Sequence, residues 1–540
     1  MRRSYAAALV ALALAVSVVT ASTSPAQSRS PLATDPDPGL LAEHGEAMTD
    51  EAADAALERA ADVLSGAALA TPDETDETDE SDESEQSPVP DEATVDDGVA
   101  TLALRDLFLA LPRLDPTERK QAQGLLARPT DGSSDPNNDG YTVRARSECV
   151  RRICIHWVNR TADAPPNRRW VTRSLAVMRG VWAEEVGRLG YRAPVTDRGR
   201  GGNNKFDVYL KDVGSEGFYG YCVPERRKPG HKWLASGYCV LDDDFARSQF
   251  GARPGKSLRV TAAHEFFHAI QFAYDYAEDG WMMEATATWV EERVADDVDD
   301  NRQYLPYGQL SRPGRSLDLY NRQGFTQYGN WVFFEYLTER YGPAIVRRIW
   351  ENATGRPRNF STRAVKRSLP HGVAFSDLFS AYAAANTIPA NSYSEGDAWR
   401  PAEMAQQHTL RASAPGATGS FRIDHMSSRT ILLGQDRTIG GRQWLLRLRV
   451  DAPPATGAAA YVIVHRVSGK VKRKRVTLNR NGDGEIVVPF GSQSTKRVTL
   501  TLANASTAFS CWQQQLTYSC QGRPRDDNRS FEYHARALRN

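Results

Sequence analysis

The residue pattern predicts a multidomain α+β protein: a disordered acidic leader, then a domain of alternating helices and strands, then an all-β sandwich. Three observations carry this. Residues 1–98 hold 22 acids against only Arg2, Arg3, Arg29 and Arg59, and the run from Asp73 to Glu83 has no apolar side chain to bury against chain entropy. Over 141–405 the apolar spacing switches between two residues and three or four. Beyond 410 only short period-two runs remain, set apart by Gly, Pro and Asn. With 41% apolar and 25% charged residues, the 540-residue chain is neither disordered throughout nor a multispan membrane protein.

At the N-terminus, Arg2 and Arg3 precede an apolar run from Tyr5 to Ala21 and then small residues, the pattern of a secretory signal cleaved after Ala21 or Ala26. Residues 1–26 are therefore read as a signal peptide, and the protein as secreted and extracellular. No later stretch reaches the roughly 20 apolar residues of a bilayer helix, so no transmembrane span is expected in the mature chain.

Residues 27–130 read as an acidic leader or pro-segment. Its part from 27 to 98 should be largely disordered, while Leu102, Leu104, Leu107, Leu109, Leu111, Leu125 and Leu126 suffice for one or two short helices. Processing is expected in the Gly, Ser, Asp and Asn loop at 131–140. From residue 99 onward 63 basic residues face 45 acidic ones, a charge of +18. An acidic leader touching a basic body would keep the protein latent in a salt-sensitive way.

In the domain at 141–405, Ile153–Val158, Phe206–Leu210 and Tyr238–Leu241 read as strands. Leu175, Met178, Trp182, Val186 and Leu189 make one helical stripe, two consecutive helices cover roughly 257–275 and 281–295, and another runs from Tyr328 to Tyr341. The sandwich at 410–540 is built from runs such as Trp444–Val450, Tyr461–Val464, Ile486–Val488 and Val498–Leu502. Six cysteines fall into the local pairs Cys149/Cys154, Cys222/Cys239 and Cys511/Cys520, which in an exported chain should be disulfides.

The chemistry is concentrated in His264-Glu265-Phe266-Phe267-His268. Residues four apart share a helix face, so His264 and His268 can present two imidazole nitrogens to one Zn²⁺ with Glu265 beside them. A catalytic zinc takes three protein ligands and keeps one position open. Glu284, 16 residues after His268 and flanked by Trp281, Met282 and Met283, is the candidate third ligand, because a carboxylate buried among such groups needs a cation.

This pair of motifs resembles the gluzincin zinc metallopeptidases, whose third ligand is a Glu on a following helix. Trp281, Glu284, Ala287 and Glu291 stand at the offsets of the aminopeptidase-like members of that group. The chain as a whole also resembles uncharacterised secreted bacterial metalloproteases. The resemblance implies a zincin-like catalytic domain at 141–405 followed by the β-sandwich, and peptide hydrolysis by a zinc-activated water with Glu265 as general base. It also suggests a downstream Tyr or His as oxyanion donor, here Tyr328, with Tyr304, Tyr307 and His371 as rivals. The Gly-x-Met-Glu-Asn element of the aminopeptidases is missing, so the activity implied is that of an endopeptidase.

An extended peptide substrate would pair with a sheet edge, supplied by Phe206–Asp212 or Tyr238–Asp242. Ca²⁺ is a second cofactor to look for, at Asp242–Asp244, Asp296–Asp300 or Asn479–Gly484. The run Lys470–Arg475 reads as a charged edge strand rather than a nucleic-acid surface, and the sandwich as a place of cell-envelope contact. The competing functional class is a non-enzymatic envelope-binding protein or adhesin on the same scaffold, which would have no need of Glu265.

Overall fold

A computed structural model describes residues 48–65, 97–132, 140–354, 359–454, 457–512 and 517–540. The signal peptide, the acidic run at 73–83 and most of the processing loop lie outside them. The protein is mixed α+β. Among the described residues no helix is long and apolar enough to cross a membrane.

Three helices precede the first strand: α1 (Asp50–Leu64), α2 (Asp97–Ala110) and α3 (Pro116–Leu125). Thr49 caps α1 by accepting from the Ala52 N–H, and Asp115 and Glu118 close a capping box on α3. The disorder expected of 27–98 therefore does not extend to 50–64. Ala53, Ala56, Leu57, Ala60, Val63 and Leu64 repeat at helical spacing and are buried in the main core with Leu102, Leu104 and Leu107 of α2. The acidic composition hid this stripe because half of its members are alanines, which give weak hydrophobic contrast.

A five-stranded sheet follows, of β1 (Arg146–Val150), β2 (Ile153–Trp157), β3 (Phe206–Lys211), β4 (Gly220–Arg227) and β5 (Ala235–Asp242), in the order β1-β2-β3-β5-β4. The pairs β2/β3 and β3/β5 are parallel, and β5/β4 is antiparallel. Both strands expected to bind substrate, β3 and β5, are interior; the edge on their side is β4. Pro224, Glu225, Arg226 and Arg227 give β4 no strand signature in the sequence, yet Pro and charge are what a sheet edge tolerates. Behind the sheet lie α4 (Arg168–Trp182), which continues into a π-helical turn at Ala183–Arg188, the short α5 (Arg247–Phe250), α6 (Pro254–Gln271) and α7 (Gly280–Ala295). The turn α8 (Thr326–Gly329), then α9 (Trp331–Tyr341), α10 (Ala344–Asn352), α11 (Ser361–Ser368) and α12 (Phe375–Ala385) complete the helical part. The helix expected from Tyr328 to Tyr341 is thus interrupted at Asn330, whose amide donates to the Leu317 carbonyl instead.

The C-terminal part is two facing sheets. One runs β11-β10-β13-β8-β6 and the other β12-β9-β16-β7. Their strands are β6 (Gln406–Leu410), β7 (Gly416–Ile423), β8 (Ser427–Gln435), β9 (Trp444–Asp451), β10 (Ala458–Arg466), β11 (Val471–Val476), β12 (Asp483–Pro489), β13 (Thr495–Asn504) and β16 (Arg529–Arg539), with the small ladder β14 (Phe509–Ser510) and β15 (Arg523–Pro524) set apart. Leu446, Leu448, Val462, Val464, Leu500, Phe531 and Tyr533 fill the space between the sheets. The basic run forms the edge strand β11, where Arg473 reaches the Asn391 carbonyl at 2.7 Å and Arg475 pairs with Asp377.

All three expected disulfides are present: Cys149–Cys154 across β1 and β2, Cys222–Cys239 across β4 and β5, and Cys511–Cys520 beyond β14. The last holds a loop that docks on the helical core. Cys520 N–H donates to Asp279 at 2.9 Å and Ser519 N–H to Asp318 at 3.0 Å. Asp318 also meets His425 Nε2 at 2.9 Å, while His425 Nδ1 meets Asp527 at 2.5 Å. Burial opposes charging of this imidazole, but the two carboxylates outweigh it and raise its pKa to about 9. A pKa raised on folding contributes stability that is fully present below the unfolded value near 6.5 and lost as pH rises through 9. The shift is worth roughly 3 kcal/mol. Urea midpoints of wild type should therefore fall between about pH 6.5 and 9, and those of His425→Asn should stay flat over that range. Equal slopes for both proteins would show the cluster to be energetically idle.

Candidate metal site

Helix α6 starts at Pro254, whose missing N–H costs nothing in a first turn, and it carries His264, Glu265 and His268. Gln271 near its end contacts the Met283 carbonyl and Thr286, whereas His264, two turns earlier, contacts Glu284 and Glu291. These pairings run α7 antiparallel to α6 and bring Glu284 to the two histidines. Glu284 Oε2 lies 3.2 Å from His264 Nε2 and 3.6 Å from His268 Nε2. His264 is 2% exposed and Glu265, His268 and Glu284 are 0% exposed.

The other ring nitrogens are fixed from behind. His264 Nδ1 meets Glu291 Oε1 at 2.7 Å, and His268 Nδ1 meets Gln271 Oε1 at 2.8 Å. Both acceptors hold a proton on Nδ1 and turn Nε2 toward Glu284, which makes Nε2 the atom each ring would offer to a metal. Gln271 lies at i+3 from His268, so its role was available from helical spacing; that of Glu291 came through the family offsets.

Burial would depress the His264 imidazole, but its bonds to Glu284 and Glu291 hold its pKa well above the usual range. Burial likewise favours neutral Glu284, yet His268 and His264 draw it down to about 2. Burial pushes Glu291 up to about 7 against the pull of His264. Among the buried polar atoms without a hydrogen-bond partner in the described residues, three belong to His268, Glu284 and Glu265: His268 Nε2, Glu284 Oε1 and Glu265 Oε1. Unpaired polar atoms in such burial are costly, and three around one point fit a cation.

Glu265 points elsewhere on the helix. Its Oε2 accepts from the hydroxyl of Thr101 on α2 at 3.0 Å, and its ligand-type atoms stay within 4.8 Å of those of His264 and His268. Thr101 has no signature in sequence, since it arrives from 164 residues away. Tyr328 sits buried on α8 with its ring stacked 6.1 Å from that of His264. Tyr304 packs on Tyr328, Tyr307 packs on Phe325, and His371 is exposed after α11.

Residues 231–387, which include α6 and α7, match a family of unknown function, DUF6055. No curated protein matches the chain. Among solved structures, the pre-peptidase C-terminal domain of a collagenase from Bacillus anthracis is 10% identical, with 26% of this chain and 99% of that domain covered at a TM-score of 0.16. A family GH115 4-O-methyl-α-glucuronidase with specificity for decorated arabinogalactans is 11% identical, with 65% of this chain and 54% of that one covered at a TM-score of 0.14. Likenesses this slight define neither fold nor chemistry here.

Of the calcium candidates, Asp242 and Asp243 come together with Asp212. Asp242 spends its carboxylate on the N–H groups of Gly214, Asp244 and Phe245, at 2.7, 3.2 and 2.5 Å. At the third candidate, Asn479 accepts from the N–H groups of Asn481 and Asp483, as in an ordinary turn.

Proposed function

We propose that this protein is a secreted zinc endopeptidase with a zincin-like catalytic domain, in which His264, His268 and Glu284 hold Zn²⁺. The observation that carries the reading is the convergence of His264 Nε2, His268 Nε2 and Glu284 Oε2 at 3.2 and 3.6 Å. Ligands about 2.0–2.1 Å from a tetrahedral metal stand roughly 3.3–3.4 Å apart, so Glu284 Oε2 lies near coordinating separation from each of the two imidazole nitrogens. The donor set of two imidazoles and one carboxylate suits zinc, which lowers the pKa of a bound water and polarises a carbonyl.

This chain's own residues then divide the work. Glu265 takes the proton from the attacking water and passes it to the leaving amide nitrogen. Tyr328, beside His264, is the donor assigned to the developing oxyanion. Glu291 and Gln271 keep the two imidazoles aimed.

The test is zinc analysis of the purified chain combined with cleavage of a random peptide library. One zinc per chain, released by His264→Ala, is expected. A chain that takes up no zinc sinks the reading, and zinc without peptide cleavage in any form of the chain would favour a binding protein on this scaffold.

A further inference from the structure

Strand β4 is a sheet edge, and an edge presents outward N–H and C=O groups to whatever pairs with it. The outward N–H of Cys222 on β4 donates to Thr101 Oγ1 at 2.9 Å, and the same hydroxyl donates to Glu265 Oε2 at 3.0 Å. One leader side chain thus occupies both the edge strand and the proposed general base. An extended peptide would offer a carbonyl to that N–H and a water or amide proton to that carboxylate. The Thr101 hydroxyl satisfies both at once.

The helix that carries Thr101 is firmly seated. Arg105, one turn on, donates to the Glu278 carbonyl at 2.7 Å in the loop joining α6 to α7. Phe108 packs edge-on against Tyr276 at 5.4 Å. Helix α1 lies against α2, and with both in place the metal site is closed to solvent.

We propose that α2 is an internal occupant of the substrate cleft, and that the chain is latent until α2 leaves β4. This rests on the reading of Glu265 as the base. The seating is apolar and hydrogen-bonded: the described ties of α2 to the body run through Thr101, Arg105 and buried leucines, not through its acids. Latency should therefore persist at high salt, contrary to the electrostatic leader contact expected from charge alone.

The test uses the full chain with one specific protease site placed in the exposed turn around Arg113, between α2 and α3. Zinc content and peptide-library cleavage are measured before cutting and after the segment N-terminal to the cut has been separated. The zinc-loaded intact chain should cleave at least 100-fold more slowly than the freed one, at low and high salt. To separate loss of fold from loss of the occupant, uncut Thr101→Ala/Arg105→Ala provides a second arm, with at least a tenfold gain expected, while Thr101→Ser stays latent by keeping the hydroxyl. A zinc-loaded intact chain as active as both the freed chain and the double variant overturns the occupant and spares the zinc site. Failure of every form to bind zinc overturns the site reading itself.

Discussion

Glu284→Ala should leave the chain unable to retain zinc, whereas Glu265→Gln should keep one zinc and lose about 10²–10⁴-fold in peptide hydrolysis once α2 has been displaced. The two carboxylates sit on neighbouring helices, yet their surroundings separate their roles. Glu284 Oε2 faces both Nε2 atoms, so its removal leaves two imidazoles for a metal that requires three protein ligands. Glu265 faces Thr101, so its amide replacement keeps the shape of the pocket and removes only the ability to accept a proton. Metal analysis after dialysis, paired with turnover, separates the outcomes. Wild-type turnover by Glu265→Gln would end its assignment as base. Glu291→Gln should lie between the two, weakening zinc about 10–100-fold by loosening His264.

Arg128→Met should be the most destabilising change outside the metal site, by about 3–5 kcal/mol. Arg128 follows α3, and its side chain is 1% exposed. It reaches Asp197 at 2.9 Å, Asp207 at 2.6 Å and Glu225 at 2.5 Å, and it donates to the Tyr209 hydroxyl at 3.2 Å. Methionine fills the space but removes the one guanidinium shared by three buried carboxylates, with His156 left beside Asp207 and the half-exposed Arg200 beside Glu225. Burial already raises the pKa of the Asp197 carboxyl while Arg128 helps hold it down, so losing the guanidinium would raise it further. A raised folded pKa favours folding at low pH, so the variant should regain stability as pH falls toward 5. Urea melts of both proteins at pH 5 and pH 8 decide the matter; a constant difference would mean that the carboxylates find other partners.

The meeting of His264, His268 and Glu284 was legible because a helix fixes the i, i+4 geometry locally and because Glu284 stands in a run of bulky apolar residues. The strands β2, β3, β5, β9, β10 and β13 were legible for the same local reason, a two-residue alternation or a continuous apolar run. What local pattern could not reach was assembly. The edge position of β4 depends on strand order, Thr101 meets Glu265 only after α2 crosses the sheet edge, and Arg128 reads as an ordinary surface arginine until its three acids converge. Charge was misleading for the leader, since its described part is held by apolar burial and by its arginines Arg105 and Arg128 rather than by its acids.

The docking of the Cys511–Cys520 loop onto Asp279 has a consequence for the timing of biosynthesis. The residue capped by Cys520 stands one position before α7, the helix that carries Glu284, so the helix pair gains its last polar anchor only when the far end of the chain has been made. At about 5–20 residues per second, the interval between synthesis of Glu284 and of Cys520 is on the order of 10–50 s. During that interval the ribosome-bound chain holds both histidines and the glutamate without the hydrogen bond that ties Cys520 to the loop before α7, so the proposed ligands are all in place in sequence well before that tie can form.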